Sequence, residues 1–146
     1  MRVRIQRPTF NIKCPEMNTP MKEEGRKKFD LEERLIDFSV FILKIVTELP
    51  STKAGSHLAG QLVRSGTASA LNYGEAQSGE SRKDFIHKMK ISLKELRETH
   101  ICLKIIKRSG QLVNSSILDQ ALTENNELIS IFVKSIETAQ RNLNNS

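Results

Sequence analysis

The strongest constraint on this chain is a repeat of apolar residues at alternating steps of four and three. Leu31, Leu35, Phe38, Ile42, Ile45 and Leu49 are spaced 4, 3, 4, 3, 4. Ile86, Met89, Leu93, Leu96, His100 and Leu103 follow at 3, 4, 3, 4, 3, with one histidine in the series. Leu118, Leu122, Asn125, Ile129, Phe132, Ile136, Ala139 and Leu143 repeat it a third time. Such spacing lays side chains in one stripe along a helix. No segment alternates with the period of two that a half-buried strand requires.

Between the first two stripes, Pro50 ends one helix, and Ser51 or Thr52 caps a second, expected over about 53–79. This second segment carries Leu58, Leu62 and Val63, then a run of small residues from Ser65 to Ala70. Gly66 weakens a helix by ~1 kcal/mol relative to alanine. Small side chains also let a neighbouring backbone approach closely, and a break near Ser65-Gly66 is the alternative. Ser81 caps the third helix, with Asp84 at the acidic capping-box position, and Gly110 is its expected stop. A fourth begins near Ser115 or Ser116, and its end, from Asn142, is expected to fray. Short connections make successive helices antiparallel. The expectation is an all-α fold, an up-down-up-down antiparallel four-helix bundle over residues 29–146.

The chain has 146 residues, about one domain's worth. It has no apolar run near the ~20 residues that span a bilayer. No apolar stretch of signal-peptide length follows the basic first residues. Cys14 and Cys102 cannot build a disulfide framework, so a reduced, cytoplasmic setting is expected. Residues 1–28 contain three of the four prolines, and eight Lys/Arg against three Glu. They read as a basic, disordered tail that buries too little apolar surface to offset its ordering entropy.

The formal net charge of +6 is unevenly placed. Residues 30–48 hold two basic and five acidic side chains, and residues 115–146 hold two and four. Residues 82–108 hold nine basic against three acidic. Of these nine, Lys83, Lys90, Lys94 and Arg97 fall near one line, and Arg82 and Lys88 lie close to it. Two readings follow. A basic ridge binds nucleic-acid phosphates with little sequence preference. Alternatively, the basic helix faces acidic helices, within the bundle or in a second copy of the chain.

Signatures of catalysis are missing from the sequence. There is no phosphate-binding glycine loop, no G-x-S-x-G and no H-E-x-x-H. His57, His87 and His100 are scattered, and no pair of Glu-x-x-His motifs supports a metal, so a structural role is expected for them. Cys102 reads as a small core residue. Asn125, inside the apolar stripe of the fourth helix, is expected to set register or to meet a polar partner on another helix. Arg64, Glu75, Asp84 and His87, with Glu80 and Arg82, are dense enough around the second turn to form one ion-pair network. Such a network would be structural or would serve a subunit contact.

One stretch is distinctive enough to name. Gln61-Leu62-Val63-Arg64-Ser65-Gly66, then Asn72-Tyr73-Gly74-Glu75-Ala76, then Ser81-Arg82-Lys83-Asp84-Phe85-Ile86-His87-Lys88-Met89-Lys90 and onward to Thr99 resemble the four-helix-bundle protein family encoded in 23S ribosomal RNA intervening sequences. The resemblance covers about residues 29–140. A relative of that family, the accessory variability determinant protein of diversity-generating retroelements, is a basic pentameric barrel that binds nucleic acid. The basic third helix and the resemblance together imply a bacterial, non-enzymatic homo-oligomer, a homopentamer by the resemblance, that binds RNA through Arg82, Lys83, Lys88, Lys90, Lys94 and Arg97 with help from the basic tail. It implies no cofactor, metal, membrane or catalytic residue. The alternative is an assembly protein whose basic helix serves subunit contacts alone.

Overall fold

The structure, a computed structural model, describes residues 30–145. The basic segment 1–28 lies outside the described residues. Four helices follow one another: α1 (Leu31–Glu48), α2 (Lys53–Gln77), α3 (Arg82–Ser109) and α4 (Ser116–Asn144). There is no strand among the described residues. α2 and α3 pair most extensively, α3 and α4 next, then α1 and α2, and α1 and α4 less again. The arrangement is the expected all-α, up-down-up-down bundle.

The ends are set by local chemistry. The Asp30 carboxylate accepts the Glu33 N–H at 3.1 Å, so Asp30 caps α1 and does not belong to its first turn. Thr52, not Ser51, caps α2 by accepting the Gly55 N–H at 3.0 Å. The Ser81 hydroxyl accepts the Asp84 N–H at 3.1 Å. Gly110 stops α3 in the left-handed region, at φ 73°, which a side chain would strain. α4 starts where expected, with Ser115 at the cap position and Ser116 its first residue. Neither serine hydroxyl accepts a free N–H there; the Asn114 side-chain carbonyl accepts the Ser116 N–H at 3.0 Å. The helix also continues to Asn144, past the residue where fraying was expected.

The core combines large residues from three helices. Leu35, Phe38, Ile42 and Ile45 of α1 are fully buried, as are Leu96, Leu103 and Ile106 of α3 and Leu128 and Phe132 of α4. α2 contributes only Leu62 at that depth. It is continuous through its small residues, and Gly66 explains why they are there. A Cβ at position 66 would lie 2.7 Å from Ile42 Cγ2, so only glycine lets the two helices meet at this separation. The Ser39 hydroxyl reaches the Gly66 carbonyl at 3.1 Å across the same contact.

The other face of α2 meets α3 through hydroxyls. The Ser92 hydroxyl donates to the Ser69 carbonyl at 3.0 Å, and the Thr99 and Ser65 hydroxyls bond each other at 3.0 Å. Asn125 is fully buried, yet its amide nitrogen and oxygen have no partner among the described residues. The polar partner expected for it is therefore not found there.

Candidate nucleic-acid interface

α3 buries Ile86, Met89, Leu96 and Leu103 on one side and turns Lys83, Lys90, Lys94 and Arg97 outward. The four cations share a face because their spacings of 7, 4 and 3 match the helical period. Among the described residues, no carboxylate pairs with Lys83, Lys90 or Arg97.

Two acidic residues of α3, the buried Glu95 and the exposed Glu98, are shared between Arg64 of α2 and Lys94 of this face. Arg64 lies 3.1 Å from Glu98 and 3.6 Å from Glu95. Lys94 approaches the same two carboxylates at 3.5 and 3.8 Å. The hydrogen bond from Arg64, supported by the charge of Lys94, holds the Glu98 carboxyl below its ordinary range. Glu95 is buried at 8% exposure and depends on these two cations. An open groove of about 740 Å³ runs between α2 and α3, with Lys90, Lys94 and Arg97 along it and Ile101 and Ile105 at one end.

The remaining two ridge candidates sit elsewhere. Lys88 turns toward α2, where it donates to Glu75. Arg82 is exposed at the start of α3, in a shallow pocket it shares with Lys134 and Thr138 of α4. Arg64, Glu75, Asp84 and His87 do not share one ion-pair cluster. Arg64 belongs to the Glu95–Glu98 cluster, Glu75 to Lys88, and Asp84 and His87 are exposed near the start of α3. Arg64 and Glu75 are eleven residues apart on one helix, about 16 Å of rise, which separates the two clusters.

Cys102 is buried, its Sγ 3.9 Å from the Leu58 carbonyl, and burial pushes its thiol pKa up. Among the described residues no three His, Cys, Asp or Glu side chains gather as a metal would require. No helix among the described residues is long and apolar enough to cross a membrane.

Two features escaped sequence reasoning. Arg34 bonds Glu124 through two nitrogens at 2.7 and 2.8 Å and Glu127 at 2.6 Å, tying α1 to α4. Glu124, and then Glu127, raise the Arg34 pKa against the effect of burial. The partners are 90 and 93 residues away, and no local signal joins them. The second is the exposure of Ile101 and Ile105, two large apolar side chains of α3 that face solvent.

The profile of the 23S rRNA-intervening sequence protein family matches residues 27–134. The chain is also similar to a crystal structure from Bacteroides thetaiotaomicron, described as a protein with unknown function from the S23 ribosomal protein family. The two are 26% identical with a TM-score of 0.68, over 73% of this chain and 98% of the other. Among curated proteins, none matches.

Proposed function

The chain belongs to the 23S rRNA-intervening sequence protein family, and from that premise we propose that it is a cytoplasmic, non-enzymatic homo-oligomer that binds RNA through the outer face of α3, in association with the 23S rRNA intervening sequence. One observation carries the reading. α3 concentrates cations on one open face, where Lys83, Lys90 and Arg97 have no carboxylate partner among the described residues, and its own Glu95 and Glu98 are engaged by Arg64 of α2 and by Lys94. A duplex or folded RNA offers regularly spaced phosphates, and a line of Lys and Arg meets them without reading sequence. Lys88 and Arg82 are secondary, since Glu75 engages the first and the second stands at the helix start. A ring of copies, five by the family resemblance, multiplies a modest charge per chain into a salt-sensitive surface.

The test is a filter-binding titration with structured RNA over a range of salt. Lys→Ala at positions 83, 90 and 94 together should weaken binding at least tenfold. It should also flatten the slope of log affinity against log salt by about 2 to 3, close to one per lost phosphate contact. No binding at low salt, or an unchanged slope in the triple variant, would sink the reading.

A second reading has its own observation. Ile101 is 55% and Ile105 50% exposed, on the same face of α3 as the cations. Apolar side chains there fit a protein contact better than an RNA backbone, so a subunit contact with no nucleic acid is the alternative.

A further inference from the structure

Two exposed apolar faces lie on different sides of the bundle, and the residues one turn before them, Glu32 on α1 and Arg97 on α3, carry opposite charge. On α1, Ile36, Val40 and Leu43 are 40%, 47% and 43% exposed, while Leu35, Phe38, Ile42 and Ile45 fill the core behind them. Their spacing of 4 and 3 makes one stripe, and Glu32 stands one turn before Ile36. On α3, Ile101 and Ile105 are exposed, Arg97 stands one turn before them, and Leu58 and Cys102 share their groove. The two sets are in register. Glu32, Ile36 and Val40 step by 4 and 4, and so do Arg97, Ile101 and Ile105. Among the described residues, neither Glu32 nor Arg97 has an ion-pair partner within the chain.

We propose that α1 of one copy docks by its Ile36–Val40–Leu43 stripe into the α2–α3 groove of the next copy, with Glu32 against Arg97 and Val40 against Ile105. The helices then run parallel, because each charge precedes its isoleucine in chain order. A stripe at i, i+4 and i+7 seated in an apolar groove is a recurring mode of helix recognition. Each copy uses two different patches, so the contact is heterologous and copies add head to tail until the rotation closes a ring. The proposal rests on the homo-oligomeric part of the reading above. The docked stripe enters the groove from Arg97 onward, which takes Arg97 out of the RNA-binding set and leaves Lys83, Lys90 and Lys94, at the other end of the groove and beyond it, for RNA, so assembly and RNA binding are measured separately.

The test is mass by light scattering on size-exclusion eluate, with nuclease-treated full-length protein. Wild type should run as an oligomer. Val40→Asp and Ile105→Asp, each at an exposed position, should run as monomers with unchanged helical circular dichroism. Mixed in equal amounts, they should form a one-to-one heterodimer, because one undamaged stripe and one undamaged groove remain between them. A symmetric contact of α1 on α1, or of groove on groove, predicts a different pairing. In that case one of the two variants stays oligomeric alone, and the mixture gives no heterodimer. A second pair of variants avoids apolar change. Arg97→Glu should weaken assembly at least tenfold, and adding Glu32→Arg should restore most of the loss. A monomeric wild type, no heterodimer on mixing, or no rescue by the charge swap would each overturn the proposal. The RNA reading falls on a different result, the salt slope of the triple lysine variant.

Discussion

α2 buries Gly55, Leu62, Ser65, Gly66, Ser69 and Ala76; α4 buries Leu118, Ala121, Asn125, Leu128, Phe132 and Ile136. One helix offers a single large apolar side chain and the other offers four. α4 supplies volume, and its attachment follows from apolar area removed from water. α2 supplies closeness. With little side chain between backbones, its attachment comes from short contacts with Ile42 and from hydroxyl bonds to Gly66, Ser69 and Ser65. Both ways of packing coexist because α2 meets α1 at Gly66 and α3 through hydroxyls, two close approaches that leave no room for large side chains. The two helices should therefore respond to substitution by different mechanisms.

The largest effect is expected on α4. Phe132 is fully buried and meets Tyr73 edge-on, with ring centroids 5.9 Å apart. Phe132→Ala should cost about 3 to 5 kcal/mol, by lost transfer energy and the cavity left behind. Urea unfolding should show a lower midpoint. A loss under about 1 kcal/mol would mean that the neighbours collapse into the space and that α4 is not packed by volume.

On α2 the opposite change should hurt. Gly66→Ala adds one methyl where Ile42 already stands, 2.7 Å from the new carbon. Overpacking of this kind costs about 1 to 3 kcal/mol, against a gain of about 1 kcal/mol in helix propensity. Gly66→Ala should be destabilising in the wild-type background and should turn stabilising with Ile42→Ala. A stabilising Gly66→Ala on its own would show that α2 can move away from α1 at little cost, and the contrast with α4 would weaken.

How far this division was legible in the sequence varies by element. The stripes of α1, α3 and α4 gave their helices directly, because large apolar residues at period 3.6 have few other uses. The small run of α2 indicated close approach, but which helix it approaches is a tertiary fact, and Ile42 could not be read from it. Caps written as Ser81 and Gly110 were visible, since their chemistry is local. The start of α4 near Ser115 or Ser116 was legible too, but not that the Asn114 side chain, in place of a serine hydroxyl, accepts the free N–H there. In the candidate interface, the line from Lys83 to Arg97 followed from spacing alone. The diversion of Lys88 to Glu75, and the engagement of Glu95 and Glu98 by Arg64, required knowing how α2 and α3 are turned toward each other. Separations of 13 to 34 residues across a helical turn put these pairings beyond any local rule.

The smallest effect is expected where α4 departs from its own rule. Asn125 occupies a position its neighbours fill with Leu118, Ala121, Leu128 and Phe132, and it is fully buried. Its amide has no partner among the described residues. A buried amide without hydrogen bonds costs about 1 to 3 kcal/mol in desolvation. Asn125→Leu removes that cost and adds apolar area, against some strain from the change of shape. The net should be a gain of about 1 kcal/mol, read as a higher urea midpoint with an unchanged denaturant slope. The slope matters because a variant that loosens the bundle changes the surface exposed on unfolding. A loss of stability would show instead that the amide is satisfied in solution, by a buried water or by a small shift of the helices. In that event α4, like α2, would be held partly by polar contacts, and the difference between the two helices would be one of proportion.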